Sequence, residues 1–373
     1  VTLLEFFANN RSEFAELVLE HLFLVIMSTG IAVLIGVPLG ILLTRRPALS
    51  KPILGFANIM QTVPSLALFG FLIPLNIYLF QFKLVGGIGA RTAIVALVLY
   101  SLLPIIRNTF TGISNVDPAI RDAGRGMGMT DRQLLFQVEL PLALGVILAG
   151  VRVATVICVG TATIAAAIDA GGLGRYIFRG LRANDNVLIL AGAVPAALIA
   201  LGADLLLGYF EKTIQLGAMA RSKSKKLVWV TAVVVLAFLG GMYFFTGKGA
   251  GRIAVGSKDF TEQVIVGEIL AQAIEAKTGM EVVRRFDLGG NLAHDALVGG
   301  EIDLYVEYTG TGLLAILKEK PVADPQEVYR RVKAEYAKRF DLEWTEPLGF
   351  NNTFAILVRG EDAKKLGLKS VSD

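Results

Sequence analysis

Leu227–Gly247, LVWVTAVVVLAFLGGMYFFTG, contains no charged residue and comes directly after Arg221, Lys223, Lys225 and Lys226. At about 1.5 Å per helical residue it crosses ~30 Å, the thickness of a bilayer's hydrocarbon. A core helix of a water-soluble domain keeps one polar face, and this stretch has none. Five further apolar runs precede it, near 21–44, 52–82, 92–106, 141–168 and 186–210. Beyond it, from Arg252, short strand-like and helix-like segments alternate instead. Basic residues, an apolar run and a Gly-containing exit also resemble a signal peptide set inside a chain. The length favours an uncleaved sixth span that exports the C-terminal segment. With 54% hydrophobic and 18% charged residues, the chain is expected to be a helical membrane half followed by an α/β half.

Charge divides along the same line. Residues 1–250 carry a net +8 and residues 251–373 a net −4. A pI near 9.0 in a soluble protein would suggest nucleic acid, but here the bases flank apolar spans, so topology accounts for them. Arg45, Arg46 and Lys51 follow the first span, Arg121, Arg125 and Arg132 the third, and the 221–226 cluster precedes the sixth. Placing these segments in the cytoplasm puts the N-terminus outside, with Glu5, Glu13, Glu16 and Glu20, and six crossings put residues 248–373 outside too. Arg175, Arg179 and Arg182 run against this, since they fall on the outer side. One cysteine, Cys158, and two distant histidines, His21 and His294, argue against a disulfide or metal centre, and no cofactor is expected.

Between the third and fourth spans stand Asp122-Ala123-Gly124, Gly128 and Val138-Glu139-Leu140-Pro141. Asp117-Pro118 starts a helix, Gly126 and Gly128 permit a sharp turn, Thr130 or Asp131 can cap the next helix, and Pro141 ends or redirects it. This segment resembles the signature loop of ABC importer permeases, an acidic-Ala-Ala/Gly triplet, a Gly and then Ile-x-Leu-Pro. The resemblance implies a docking hairpin, 117–141, for an ATP-hydrolysing partner, with Asp122, Ala123, Gly124, Gly128, Leu140 and Pro141 as coupling residues. Asp122 is one methylene shorter than the Glu usual there. No Walker pattern follows a strand, so the chain carries no ATPase of its own.

Gln61-Thr62-Val63-Pro64-Ser65-Leu66-Ala67-Leu68 and Gly171-Gly172-Leu173-Gly174 look like the osmolyte-uptake branch of these permeases. Pro64 breaks the helical ladder inside the membrane, where Thr62 and Ser65 can satisfy part of what it frees. The glycines suit a re-entrant or gate-forming turn at the outer surface. Arg152 and Asp204 lie inside apolar runs and are expected to snorkel to the cytoplasmic face.

In the α/β half, strands are predicted at 253–255, 281–286, 302–305, 342–344 and 354–358, with helices at 261–277, 291–298, 311–318 and 325–340. The alternation argues a largely parallel sheet with ligand sites at the strand carboxyl ends. Asp259 and Glu262 form a plausible capping box. The segments at the strand ends are Gly256–Gln263, Leu288–Gly290, Glu301–Thr311 and Gly349–Phe354. They resemble the type II substrate-binding proteins for glycine betaine, choline and carnitine. A quaternary ammonium has no N–H to donate, so aromatic faces must hold it, at ~0.5–2 kcal/mol per ring. A betaine carboxylate also needs Lys, hydroxyl or amide donors. The resemblance implies Tyr308 as a cage ring, Lys258 and Thr311 as polar contacts, and Asn352 and Phe354 near the ligand; Tyr305, Phe260 and Gln263 are weaker candidates. Family members often have Tyr where Phe354 stands. His294 reads as a helix-surface residue, and Glu301 and Glu307 flank a binding-fold strand without a nucleophile or metal, which disfavours an enzyme.

The expected architecture is multi-domain. An all-α permease of five spans (1–220) is followed by a sixth span with linker (221–250) and an incomplete type II periplasmic-binding-protein-like domain (251–373). The chain stops at Asp373, soon after a crossing to a second lobe near Asn351, so this form is expected not to close around ligand. The resemblance implies a multi-pass cell-membrane subunit, paired with a second copy and an ATP-binding dimer, that imports a quaternary ammonium solute. Ergothioneine as ligand, and a membrane-anchored sensor without transport, are the alternatives.

Overall fold

The computed structural model describes residues 2–75, 88–217, 252–350 and 358–367. The sixth span, 227–247, lies outside the described residues. Two compact units divide at Val306/Glu307.

The first unit opens with α1 (Leu3–Asn9), capped by Thr2, and α2 (Arg11–Arg45). The buried residues of α2 include Leu17, His21, Leu24, Val25, Ser28, Ala32 and Gly36, a helical period that gives the helix one packed face. Next come α3 (Ser50–Thr62) and α4 (Ser65–Leu75), then α5 (Ala90–Ser114). A hairpin of α6 (Pro118–Gly126) and α7 (Asp131–Leu134) leads through a π turn, Leu135–Glu139, into α8 (Leu140–Ala165). The membrane half closes with α9 (Gly174–Ala183) and α10 (Asn186–Gly217). Among the described residues four helices are long and apolar enough to cross a membrane, or five with the bent α3–α4 pair.

Lipid is as apolar as leucine, so close packing rather than burial from water must join these helices. The crossings accordingly use small residues. A methyl on Gly36 would meet Ile105 at 2.8 Å, and one on Gly150 would meet the Pro104 carbonyl at 2.8 Å, which places α2 and α8 hard against α5. The break foreseen at Pro64 bends α3 from α4 by 101°. Thr62 donates to the Ile59 carbonyl at 2.8 Å, which already accepts from Val63 N and is not freed by Pro64, while the Tyr100 hydroxyl takes the freed Val63 carbonyl, which the sequence did not foretell. Arg152 and Asp204, each expected to snorkel, meet each other. Arg152 Nε and Nη2 donate to the Asp204 carboxylate at 2.6 and 2.7 Å, and Glu211 lies 3.6 Å from the same guanidinium. The pair joins α8 to α10.

The same unit holds β1 (Arg252–Lys258), α11 (Thr261–Thr278), β2 (Glu281–Leu288), α12 (Leu292–Val298) and β3 (Leu304–Tyr305). The strands form a parallel sheet in the order β2-β1-β3, as the alternation predicted. Two expectations fail here. Asp259 does not cap α11, whose N-cap is Phe260 with no side-chain bond. The Asp259 carboxylate instead lies by Gly289, where a methyl would meet it at 3.2 Å. His294 is not on a surface but 5% exposed, because α12 turns it inward beside Ala293 and Ala296.

The second unit contains α13 (Thr309–Thr311) running into a π turn at Gly312–Ile316, then α14 (Pro325–Phe340) and α15 (Gly360–Leu366). Leu313, Leu317, Val328, Val332 and Tyr336 form its core, with Trp344 edge-on to Tyr336 at 5.3 Å. Leu342–Trp344 is not a strand; its apolar residues pack on α14 instead. Strand 354–358 falls almost wholly outside the described residues.

Candidate functional site

The hairpin between α5 and α8 is built by its own side chains. The Asp117 carboxylate accepts from Ala119 N at 2.8 Å with Pro118 at the first helical position. Gly128 takes φ +80, a left-handed turn that a side chain resists. Thr130 and Gln133 form a capping box, Gln133 N donating to Thr130 Oγ1 at 3.3 Å and Thr130 N to Gln133 Oε1 at 2.9 Å. Gly124 is buried because a methyl there would press Leu134 at 2.7 Å. Asp122 and Ala123 face solvent, Asp122 lying 3.7 Å from Arg125. Pro141 does not end the helix. The π turn shifts the ladder so that Leu140 N reaches the Leu135 carbonyl, and the missing N–H of Pro141 falls where the register is already broken.

Sequence reasoning missed the centre of this hairpin. Glu139 is fully buried, and its carboxylate accepts from Arg45, at the end of α2, and from Arg121 Nε of α6 at 2.9 Å. Arg121 donates as well to the Ile113 carbonyl at the end of α5. One carboxylate thus ties the first span, the hairpin and the start of α8. The available signal was a lone charge just before an apolar run.

Just past the C-terminal end of α8, Asp169, Gly171 and Gly172 all have positive φ, from 57 to 85. Gly172 N donates to Glu20 Oε2 at 2.8 Å, and Gly89 N to the Ile168 carbonyl at 2.6 Å. The four-residue glycine-rich stretch is therefore a turn locked to α2 and to the start of α5.

Of the ligand candidates, Lys258 and Tyr305 belong to the first unit. They end neighbouring strands, Lys258 in register with Leu288 and Tyr305 with Gly256, so both stand at the carboxyl edge of the sheet. Lys258 is 5% exposed. Burial pushes the His294 imidazole down to about 4, and the nearby charge of Lys258 acts in the same direction. Gln263 is completely buried, and neither end of its amide finds a partner among the described residues. Tyr308 and Thr311 belong to the second unit, half-buried and one turn apart, with Tyr308 N donating to Glu307 Oε1 at 2.8 Å. Asn352 and Phe354 lie outside the described residues.

Comparison with known proteins gives two matches in series. Residues 36–216 match the family described as binding-protein-dependent transport system inner membrane component. Residues 251–373 match the substrate binding domain of ABC-type glycine betaine transport system. The ergothioneine transport permease/ergothioneine binding protein of Helicobacter pylori is 35% identical over 356 residues, 92% of this chain, and this chain spans 62% of that protein. The osmoprotectant import permease protein OsmW of Salmonella typhimurium is 45% identical over 205 residues, 55% of this chain and 93% of that protein. Among solved structures, an inward-facing MetNI methionine ABC transporter is 23% identical, covers 54% of this chain and 96% of that one, and has a TM-score of 0.49. The chain belongs to the ABC importer permeases of the osmoprotectant branch and carries, in the same polypeptide, a substrate-binding domain of the glycine betaine type.

Proposed function

We propose that this chain is the pore-forming and solute-capturing subunit of an ATP-driven importer for quaternary ammonium solutes of the glycine betaine, choline or carnitine kind. The observation that carries the proposal is the combination of a self-supporting cytoplasmic hairpin with a glycine betaine-type receptor domain in one chain. Ile120, Met127 and Phe136 leave large apolar surfaces exposed on and beside that hairpin, as a surface awaiting a partner does. The partner is a separate ATP-hydrolysing dimer, and two copies of the chain enclose the pore. Asp122, Ala123, Gly124, Gly128, Leu140 and Pro141 form or brace the contact. The receptor domain works on the outer face of the cell membrane. Tyr308 supplies a π-face, with Tyr305, Phe354, Lys258, Thr311 and Asn352 as further contacts. Gln263 joins them, because a buried amide left unpaired carries a penalty of about 1–3 kcal/mol that a ligand can relieve.

Ergothioneine is the second reading. It presents the same trimethylammonium group, and the relative named for it matches both halves of this chain. The test uses the full chain in nanodiscs with the ATPase subunit added. ATP hydrolysis is monitored with choline, carnitine, glycine betaine and ergothioneine, alongside Tyr308→Ala. Stimulation by at least one of them, lost in the variant, is the expected result. An ATPase that neither binds the chain nor responds when Gly128 and Asp122 are changed sinks the importer reading.

A further inference from the structure

Three arginines on α9 contradict the ordinary distribution of charge, in which the outer side of a membrane protein is poor in Lys and Arg. Each has an acidic partner. Arg175 Nη2 donates to Asp169 Oδ1 at 2.7 Å, Arg179 Nη1 to Glu13 Oε1 at 2.5 Å and Arg179 Nε to Asp287 Oδ2 at 3.0 Å. Arg182 Nη2 lies 2.9 Å from Asp287 Oδ1. Glu13 and Asp169 belong to the membrane half, but Asp287 stands near the end of β2 in the α/β half. The contact runs both ways, since Arg285, on the same strand, approaches Asp169 Oδ2 at 3.5 Å. Beside these charges Ile88, just before α5, is 4% exposed and packs with Leu288, Ala293, Ala296 and Ile302, while its N–H donates to Glu301 Oε2 at 3.2 Å. An apolar plug rimmed by ion pairs is the anatomy of a specific interface.

We propose that α9 is the docking surface for the chain's own receptor lobe, with Asp287 gripped by Arg179 and Arg182 and with Asp169 shared between α9 and the docked lobe. The charge anomaly then has a function, because Arg179 and Arg182 are matched to an acid that arrives with the lobe. Arg179 and Arg182 are about one-third exposed, so each pair is weak and is weakened further by salt. Weak contacts suffice on a tether, which keeps the lobe at an effective concentration on the order of millimolar. They also allow release. Asp169 makes the dock legible to the membrane half, since it lies two residues before the glycine turn that Glu20 and α5 hold in place.

The test reads docking directly in the full chain, with ligand and ATPase absent. Donor and acceptor labels are placed at the exposed positions Asn184→Cys and Lys277→Cys, in a Cys158→Ser background, and energy transfer is measured in nanodiscs. Transfer is expected to be high at low salt and to fall as salt rises. Asp287→Asn, which tolerates the positive φ of that position, lowers it several-fold; Asp287→Arg abolishes it, and Arg182→Glu added to Asp287→Arg recovers much of it. Wild-type transfer in Asp287→Asn, or no recovery in the double variant, overturns the proposal. Either failure leaves the importer reading standing, because neither measurement involves solute or nucleotide.

Discussion

Glu139 shows how much a single side chain can hold. Its carboxylate is fully buried and bonded by two guanidinium groups drawn from α2 and α6. Changing it to Gln preserves the volume but leaves Arg45 and Arg121 facing each other without their counter-ion. Complete loss of one partner from a buried pair costs about 3–5 kcal/mol. Here the arginine side chains are 38% and 22% exposed, so water takes up part of the deficit and about 1–3 kcal/mol is expected. Glu139→Gln should lower the thermal midpoint of the solubilised chain and speed amide exchange across 117–134, while Glu139→Gln with Arg121→Met should recover part of both. Unchanged exchange in the single variant would mean that the hairpin is held by its caps alone.

The long helices answer to a different balance, between packing and charge. Arg152 and Asp204 bind α8 to α10 by a bidentate pair inside apolar surroundings. Asp204 alone would be an uncompensated charge there and Arg152 alone would keep only the more distant Glu211, whereas two apolar replacements can pack. Arg152→Leu and Asp204→Leu should therefore each destabilise, and the double variant should destabilise by less than either, giving a strongly non-additive double-mutant cycle. Additive losses would place both groups in water instead. The helices and the α3–α4 break were legible beforehand because a charge-free run and an internal proline each allow few conformations. What stayed hidden depends on partners distant in sequence. The Tyr100 hydroxyl under Val63, the Arg152–Asp204 pair, the Glu139 tie and the inward turn of His294 leave no local periodicity to read. Caps were foreseen only where neighbours agreed: Thr130 met Gln133, while Asp259 stands one residue too early for α11. Candidate ligand residues were chosen by chemical type, and type alone does not fix which of them share one cleft.

Across the molecule, two groups of the receptor lobe respond to acid in opposite directions. The His294 imidazole is pushed from its ordinary 6.5 down to about 4 by burial and by Lys258. A lowered value in the folded state means that the unfolded chain takes up the proton first. The stability associated with a neutral His294 is therefore complete above pH 6.5 and lost as pH falls through 4, by on the order of 3 kcal/mol at most. Glu301 is pushed up to about 7, chiefly by burial and against the opposing bond from Ile88 N. Its contribution is present below 4.5 and lost as pH rises through 7, and because the residue keeps part of its surface in solvent, screening reduces it. The histidine should dominate, so the urea midpoint of residues 252–306, measured by pulse proteolysis of the full chain, should fall between pH 6.5 and 4. His294→Gln should abolish that fall and expose the weaker opposite slope of Glu301. Asp287→Asn should alter only the Glu301 slope, since Asp169, which raises this carboxyl group, and Ile88 N and Arg91, which lower it, are all met through the dock. A midpoint in His294→Gln that still drops with acid would assign the transition to another group and leave the buried imidazole without a thermodynamic role.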